Sequence, residues 1–469
     1  MVVFGGIFVM VENNSFIKED YIFELINSKS KLTTDDILNK ALQLKGLSVE
    51  EAAALLNVTD EDEINKIFET AKIVKEKIYG NRIVLFAPLY AANVCTNNCV
   101  YCAFRRDNKS IKRIVLTPEE VVEEAKAIMR MGHKRIILLT GEDYKDTGLD
   151  YIQDIMDRIY HTKELNGEIR RININIAPLS VEEFKRLNTF GIGTYQVFQE
   201  TYHKKTYIEM HPAGRKANYE WRLEAMDRAL EAGIKDIGIG PLFGLADYKF
   251  ETLATLMHAQ HLDEKFGIGP HTISVPRIEH AEGVAFSDNP PAQMSDMEFK
   301  KLIAILRLAV PYTGMMLSTR ETPQLRREIL ELGVSQISAA SRTNPGGYHV
   351  HKEVTSQFES GDTRSIEEIV KELCENDYLP SFCTACYRVG RVGEKFMEQA
   401  KSGHIHTFCE PNALTTFEEY LVDYAPDDVK EIGEKLIQQR LAKIEDEKIR
   451  EITIKNLQAI KEGKRDLYI

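Results

Sequence analysis

Between residues 83 and 340 the sequence alternates between short apolar segments and amphipathic, helix-like segments. The pattern predicts eight strands at 83–88, 135–140, 172–176, 194–199, 236–241, 272–275, 315–319 and 336–340. It predicts helices between them at 118–131, 181–187, 219–232, 252–266, 296–309 and 324–332. Eight strands that are each followed by a crossover helix favour a closed parallel barrel over an open sheet. We therefore expect an α/β protein built on a (β/α)8 TIM-type barrel.

The barrel pattern covers only part of the 469 residues, so additions on both sides are expected. Residues 1–80 are predicted to form an N-terminal helical extension, 81–345 the barrel, and 346–469 a mainly helical C-terminal addition. The apolar opening at 1–11 is too short to span a bilayer and lacks the basic start of a signal peptide. We interpret it as a leader, and Met10 is a second possible start.

Charge and cysteine content narrow the class of protein further. The net charge of −12 argues against a nucleic-acid-binding surface. Six of the seven cysteines fall into two closely spaced groups, which indicates metal binding in a reducing compartment; Cys374 stands alone. We expect a cytoplasmic protein with no nucleic-acid and no membrane partner.

The first cysteine group is Cys95, Cys99 and Cys102, directly after the first predicted strand. Active sites of such barrels lie where the strands end at their carboxyl side, so this group is placed there. A dithiol motif needs two cysteines, and a closed zinc site needs four ligands. Three thiolates suit three irons of a 4Fe–4S cluster and leave the fourth iron open to an exogenous ligand.

The second group, Cys383, Cys386 and Cys409, again supplies three thiolates. It fits a second 4Fe–4S cluster with an open iron. It equally fits a zinc site completed by His404 or His406. The spacing alone leaves both possibilities open.

The first motif, with an aromatic residue before its last cysteine, resembles that of the radical S-adenosylmethionine (SAM) superfamily. Together with the barrel and the C-terminal CxxC-x22-C pattern, the chain resembles the HydG family, the tyrosine lyases that mature FeFe-hydrogenase. The barrel alone would equally resemble the ThiH-like tyrosine lyases of thiamine synthesis, which are not expected to carry the second cluster. The resemblance implies a 4Fe–4S cluster that binds SAM on its open iron.

The resemblance also implies positions for SAM around the ends of the strands. The segment 140–142 resembles the Gly-Gly-Glu motif that holds the SAM ammonium, with Thr in place of the first Gly. The segment 238–241 resembles the one beside which adenine lies, and Arg222, on the helix after the fourth strand, is a candidate for the SAM carboxylate. The candidate SAM-binding residues are Tyr101, Thr140, Gly141, Glu142, Glu200, Arg222, Gly238 and Gly240.

The implied substrate is L-tyrosine, whose carboxylate requires a cation. Arginine suits this because it captures a carboxylate through two hydrogen bonds. Arg320, after the seventh strand, is the best-placed candidate, and Ser338 and Ser341 on the eighth strand offer hydroxyl groups. Cleavage of the Cα–Cβ bond would give p-cresol and dehydroglycine.

The family further implies that dehydroglycine is converted to carbon monoxide and cyanide at the second cluster, which carries an additional, labile iron. The product would be an Fe(CO)(CN) unit for the hydrogenase. His271, at the start of the sixth strand, is the candidate ligand of that iron, and His261 is the weaker alternative. Two clusters at opposite mouths require a channel along the barrel axis, whereas barrel interiors are normally packed.

The expected partners are a reductant such as ferredoxin or flavodoxin and other hydrogenase maturation proteins. Two rival functions stay open at this point. One is a ThiH-like lyase that makes dehydroglycine and carries a structural zinc in its tail. The other is a non-catalytic iron–sulfur carrier.

Overall fold

The computed structural model of the protein describes residues 15–469, with a closed barrel of eight parallel strands at its centre. Strands β1–β8 are Arg82–Ala92, Arg135–Thr140, Arg171–Asn175, Tyr195–Gln196, Ile237–Ile239, Thr272–Ser274, Gly314–Leu317 and Gln336–Ser338. Each strand pairs with its successor, and β8 closes the ring because Ser338 pairs with Phe86 of β1. The predicted barrel is confirmed.

Four helices precede the barrel: α1 (Glu19–Asn27), α2 (Thr34–Ala41), α3 (Val49–Leu56) and α4 (Glu61–Tyr79). Helix α3 begins at a capping box, in which the Ser48 hydroxyl accepts from the Glu51 N–H and the Glu51 carboxylate accepts from the Ser48 N–H. The proposed leader at 1–11 lies outside the described residues. Within residues 15–469, no helix is long and apolar enough to cross a membrane.

The barrel strands are connected by helices that pack around the outside. They are α5 (Pro118–Arg130), α6 (Leu149–His161), α7 (Val181–Asn188), α8 (Lys204–Met210), α9 (Tyr219–Leu223), α10 (Ala225–Glu231), α11 (Tyr248–Phe266), α12 (Asp296–Ala309) and α13 (Pro323–Leu332). The helix predicted at 219–232 is divided, because Glu224 leaves the helical region with φ −86° and ψ 11°.

The C-terminal addition packs under the lower mouth, where the barrel strands begin. Its strand β9 (Leu379–Ser381) runs parallel to the start of β1, with Pro380 opposite Ile83. Its helices are α14 (Ile366–Glu375), α15 (Ala385–Arg388), α16 (Glu394–Lys401), α17 (His406–Asp423), α18 (Asp427–Ala442) and α19 (Glu447–Lys461). The addition is mainly helical, as expected, and the division of the chain at 80 and 345 stays a prediction.

The segment 341–364 crosses the upper mouth before the chain descends to α14. The Tyr348 hydroxyl donates to the carbonyl of Pro88 on β1 at 2.9 Å, and the Asp362 N–H donates to the carbonyl of Thr319, after β7, at 3.0 Å. The upper mouth is therefore covered by a segment that follows the last barrel strand.

The barrel interior contains polar side chains as well as apolar ones. In the described residues, the buried hydroxyls of Ser318, Ser338 and Ser341 and the side-chain oxygen of Gln196 have no hydrogen-bond partner. Buried polar atoms are normally satisfied by protein or by ordered water. These four groups therefore offer hydrogen-bonding positions to water or to a polar ligand in the interior.

Candidate active site

The thiols of Cys95, Cys99 and Cys102 line one cavity at the upper mouth. They lie on the loop that follows β1, and all three are free. Burial raises the pKa of Cys95 and Cys102 to about 11 and that of Cys99 to about 12, and neighbouring thiolate charge adds to each shift. Three such thiols ionise together only beside compensating positive charge, which iron supplies. The donor set fits a 4Fe–4S cluster.

A single guanidinium fastens the loop that carries these cysteines. Arg113 donates hydrogen bonds of 2.8–3.0 Å to the carbonyls of Asn93, Phe104 and Asn108. It also donates to the carbonyl of Arg105. Four carbonyls from both sides of the motif are thereby held at one point, so the loop is rigid before any ligand binds.

Four charged side chains form a network on the wall of the upper cavity. Arg222 contacts Glu142 at 2.8 Å and Glu200 at 3.4 Å, and Lys216 contacts Glu200 at 2.6 Å. Burial alone would raise the pKa of Glu142, but the charges of Arg222 and Lys216 outweigh it and lower that pKa. Glu142 therefore stays ionised, and the wall presents both carboxylates and cations to a zwitterionic ligand.

Six of the eight predicted SAM-binding residues line the upper cavity. They are Tyr101, Thr140, Gly141, Glu142, Glu200 and Arg222. Glycine is required at position 141, because a Cβ there would lie 2.1 Å from the carbonyl oxygen of Val94.

The two remaining predicted residues, Gly238 and Gly240, are not among the residues that line the upper cavity. A Cβ at Gly238 would lie 2.4 Å from Thr272 Oγ1, and one at Gly240 would lie 2.3 Å from the carbonyl oxygen of Ser274. Both glycines therefore permit the close approach of β5 to β6. Their role beside adenine stays a prediction.

The predicted tyrosine-binding residues lie at a second, inner cavity inside the barrel. This inner cavity shares lining residues with the upper cavity. Arg320 lines both cavities, and Ser338 and Ser341 line the inner one. The Arg320 guanidinium lies 3.4 Å from the ring centroid of Phe358, a stacking that fixes the plane of its donors. The structure thus brings a buried cation and two hydroxyl groups without partners into one space beside the cysteine loop.

The second cysteine group lies at the opposite end of the barrel. Cys383, Cys386 and Cys409 line a lower cavity together with His271. The neighbouring thiol of Cys386 lowers the pKa of Cys409, although burial opposes this shift. Three sulfur atoms and one imidazole therefore share one cavity below the strands.

The histidines considered as metal ligands differ in position. Burial lowers the pKa of His271 to about 4, which favours the neutral ring that metals bind, and its Nδ1 lies 3.6 Å from Asp236 Oδ2. His261 instead hydrogen-bonds to Asp227 at 2.8 Å. His404 and His406, the candidates for zinc, are not among the residues that line the lower cavity.

Comparison with known proteins shows which families share this architecture. Residues 89–258 match the family model of the radical SAM superfamily, and residues 274–379 match that of the biotin and thiamin synthesis associated domain. The chain is 31% identical to the 2-iminoacetate synthase of Salmonella typhimurium over 76% of this chain and 91% of that protein. A crystal structure described as HydG, a maturase of the [FeFe]-hydrogenase, shares 53% identity at a TM-score of 0.94, over 97% of this chain and 100% of that one.

The chain belongs to the HydG family of radical SAM proteins. A second family structure, the FeFe-hydrogenase maturase HydG from Carboxydothermus hydrogenoformans, shares 44% identity at a TM-score of 0.82 and covers 94% of this chain and 98% of that one. Membership implies a 4Fe–4S cluster and SAM, and the upper cavity has the donor set for both.

Sequence reasoning missed several residues that this HydG-family fold brings to the upper cavity. Lys216 and Gln357 line it, and neither belongs to a recognisable motif. The Lys216 N–H donates to Asn97 Oδ1 at 3.0 Å, a contact between segments more than 100 residues apart. Gln357 donates to the sulfur of Cys102 at 3.8 Å from the segment over the upper mouth. No signal in the local sequence distinguishes these two side chains from other surface-loop residues.

Proposed function

We propose that the protein is a radical SAM tyrosine lyase of FeFe-hydrogenase maturation. It would cleave the Cα–Cβ bond of L-tyrosine to p-cresol and dehydroglycine at the upper cavity. It would then convert dehydroglycine to carbon monoxide and cyanide at the lower cavity. The observation that carries the proposal is the placement of two groups of three free thiols in cavities at opposite mouths of one barrel.

In this proposal Cys95, Cys99 and Cys102 hold the first cluster, and the charged wall holds SAM. When bound, the cluster and SAM supply the radical that removes a hydrogen from the tyrosine amino group. Glu142 is ionised and suits the SAM ammonium, while Arg222, between two carboxylates, fixes the orientation of both. The role of the wall is to position SAM, since the reactive group must meet one atom of the substrate.

Arg320 would bind the tyrosine carboxylate at the boundary between the upper and inner cavities. Its guanidinium is held by Phe358, so little orientation is lost when a carboxylate binds. Ser338 and Ser341 offer hydroxyl donors in the inner cavity. The segment over the upper mouth would exclude water and competing hydrogen donors from the site.

Cys383, Cys386 and Cys409 would hold an auxiliary 4Fe–4S cluster, and His271 would bind its additional labile iron. Arg82 and Arg135 also line the lower cavity, and each keeps a guanidinium nitrogen without a partner in the described residues. These cations suit a small carboxylate such as dehydroglycine. The lining of the inner cavity includes Phe86, Ile137 and Ser338. The lining of the lower cavity includes Val84, Arg135 and Gln336, each two residues nearer the start of the same strand.

The proposal is tested by anaerobic incubation of reconstituted protein with SAM, a reductant and tyrosine. We expect p-cresol and 5′-deoxyadenosine from the wild type and neither from Cys95→Ser. Arg320→Ala should raise the tyrosine KM by about a hundredfold, because a bidentate carboxylate contact is lost. Arg342→Ala, outside both cavity linings, is the matched control. Cleavage of SAM without p-cresol would mean that the substrate is not tyrosine.

A ThiH-like lyase with a zinc-binding tail is the second candidate, favoured by the similarity to 2-iminoacetate synthase. Metal analysis of anaerobically purified protein separates the two. The proposal predicts about eight irons per chain, or about nine when the labile iron is retained, and no stoichiometric zinc, since each 4Fe–4S cluster contributes four. About four irons and one zinc would favour the second candidate. A ferredoxin or flavodoxin as reductant, and other hydrogenase maturation proteins as recipients of the product, are the proposed partners.

A further inference from the structure

The loop that completes the first cysteine motif carries a concentration of positive charge. Residues 103–113, named here the basic loop, contain five basic residues and one acidic residue, Asp107, in a chain of net charge −12. Arg106, Lys109 and Lys112 are exposed; Arg106 pairs with Asp107 at 3.2 Å and keeps 52% of its side chain accessible to solvent, while the two lysines are balanced by no acidic residue of the loop. The basic loop therefore presents a local charge opposite in sign to that of the molecule as a whole.

The backbone of the basic loop is held in place by side-chain hydrogen bonds. Arg113 holds the carbonyls of Phe104, Arg105 and Asn108. Asn108 is buried, and its side-chain amide donates to the carbonyls of Ala103 at 2.9 Å and Glu282 at 2.8 Å. The exposed basic side chains therefore extend from a backbone whose position is fixed by buried hydrogen bonds.

The exposed cations lie close to the upper thiols along the chain and in space. Arg106 is four residues after Cys102, and its N–H donates to the carbonyl of Asn97, inside the cysteine motif, at 2.8 Å. The Arg105 N–H donates to the carbonyl of Cys102 at 3.1 Å. Arg215, exposed on the neighbouring loop, adds a further cation, since the Ala213 carbonyl accepts from the Asn98 N–H at 3.1 Å.

We propose that the basic loop is the docking surface for an acidic one-electron carrier protein of the flavodoxin class. The carrier would be oxidised by one electron and the cluster at Cys95, Cys99 and Cys102 reduced by one electron, with no proton or other reactant required. Charge complementarity accelerates encounter between proteins and fixes their orientation, which suits transient electron transfer. This inference rests on the proposed function, because that function requires a reductant at the upper site.

The test compares two reductants on the reconstituted protein. In the triple variant Arg106→Glu, Lys109→Glu and Lys112→Glu, flavodoxin-driven SAM cleavage should lose about tenfold or more in kcat/KM for flavodoxin at low salt. Cleavage driven by dithionite, a small reductant, should stay within about twofold of the wild type. The control is Lys443→Glu, Lys448→Glu and Lys455→Glu, which makes the same charge change on exposed C-terminal residues. Iron content must match the wild type in both variants.

Binding of flavodoxin to each protein, measured by biolayer interferometry, makes the test independent of turnover. Docking at the basic loop predicts weaker binding for the first variant alone, and a wild-type affinity that falls when salt rises from about 0.02 M to about 0.3 M. Equal loss in both variants, or loss in neither, would overturn the proposal. If dithionite drives no SAM cleavage in the wild type, the proposed function fails, and the binding data still decide the docking surface.

Discussion

At the scale of single residues, the first site depends on groups that contact the cysteines without belonging to the motif. Gln357 donates to Cys102 Sγ at 3.8 Å and accepts from the Tyr90 hydroxyl at 2.8 Å. An N–H bond to a cluster sulfur stabilises the reduced, more negative state. Gln357 is therefore placed to raise the reduction potential of the first cluster.

We predict that Gln357→Leu lowers that potential by roughly a few tens of millivolts, the equivalent of one weak hydrogen bond. Electron paramagnetic resonance during a redox titration measures the change. Tyr90→Phe removes the hydroxyl that orients the amide but keeps the N–H, so its shift should be smaller. An unchanged potential in Gln357→Leu would show that the amide does not act on the cluster.

Glu251, on helix α11, contacts the two residues that follow Glu200, one of the two carboxylates in the charged network of the upper cavity. Glu200 has a φ of +72°, in the left-handed region that non-glycine residues seldom adopt. The Glu251 carboxylate accepts from the Thr201 hydroxyl and from the Tyr202 N–H at 2.9 Å. It therefore holds the two residues that follow the strained position.

Burial raises the pKa of Glu251 to about 8 against an ordinary value of 4.5, although its hydrogen bonds with Thr201 and Tyr202 oppose the shift. A carboxyl group with a raised pKa in the folded state stabilises the fold below pH 4.5 and loses that contribution as the pH rises towards 8. Glu251→Gln should therefore lose less thermal stability between pH 5 and pH 8 than the wild type.

Thermal unfolding at both pH values tests this prediction. Glu264→Gln, on the exposed side of the same helix, should respond to pH as the wild type does. The same response in Glu251→Gln would contradict a raised pKa at Glu251.

At the scale of elements, the cysteine loop depends on Arg113. Arg113→Lys keeps the charge, but one ammonium group cannot bond four carbonyls in the geometry of a guanidinium. We predict a cost of about 3 kcal/mol in loop stability and a lower iron content at the first site. Iron is measured after reconstitution in a Cys383→Ser, Cys386→Ser, Cys409→Ser background, so that only the first site is counted.

Arg106→Lys, which also keeps a positive charge on this loop, is the control for that measurement. Its iron content should equal that of the unmodified background. Equal iron content in Arg113→Lys would show that the loop is held by other contacts.

The elements also show how far the sequence predicts the fold. The eight barrel strands follow from alternating apolar periodicity, because each is a local pattern. Strand β9 was missed, since three residues with a central proline carry no strand signal until β1 supplies the partner. The break at Glu224 was missed for a similar reason, since the surrounding sequence has helical periodicity throughout.

The residues of the candidate site also differ in whether a local sequence pattern predicts them. The six grouped cysteines, Thr140–Glu142 and Arg320 lie in recognisable motifs or at predicted strand ends, and the cavities contain all of them. Lys216 and Gln357 reach the site through contacts between distant segments, which local pattern does not encode.

At the scale of the whole molecule, the barrel separates two cavities that are each lined by three cysteines. The upper cavity is reached from the carboxyl ends of the strands, and the lower cavity lies where the strands begin, closed by the C-terminal addition. Two such reactions in sequence require that a small intermediate pass between the cavities through the barrel interior. The lower cysteines should then be needed for the second reaction and not for the first.

The most direct measurement quantifies p-cresol and trapped carbon monoxide from the same anaerobic reaction, in the wild type and in Cys386→Ser. We expect both products from the wild type. We expect Cys386→Ser to keep p-cresol within about twofold and to lose carbon monoxide by about tenfold or more. Carbon monoxide at the wild-type ratio to p-cresol in Cys386→Ser would contradict the assignment of the second reaction to the lower site.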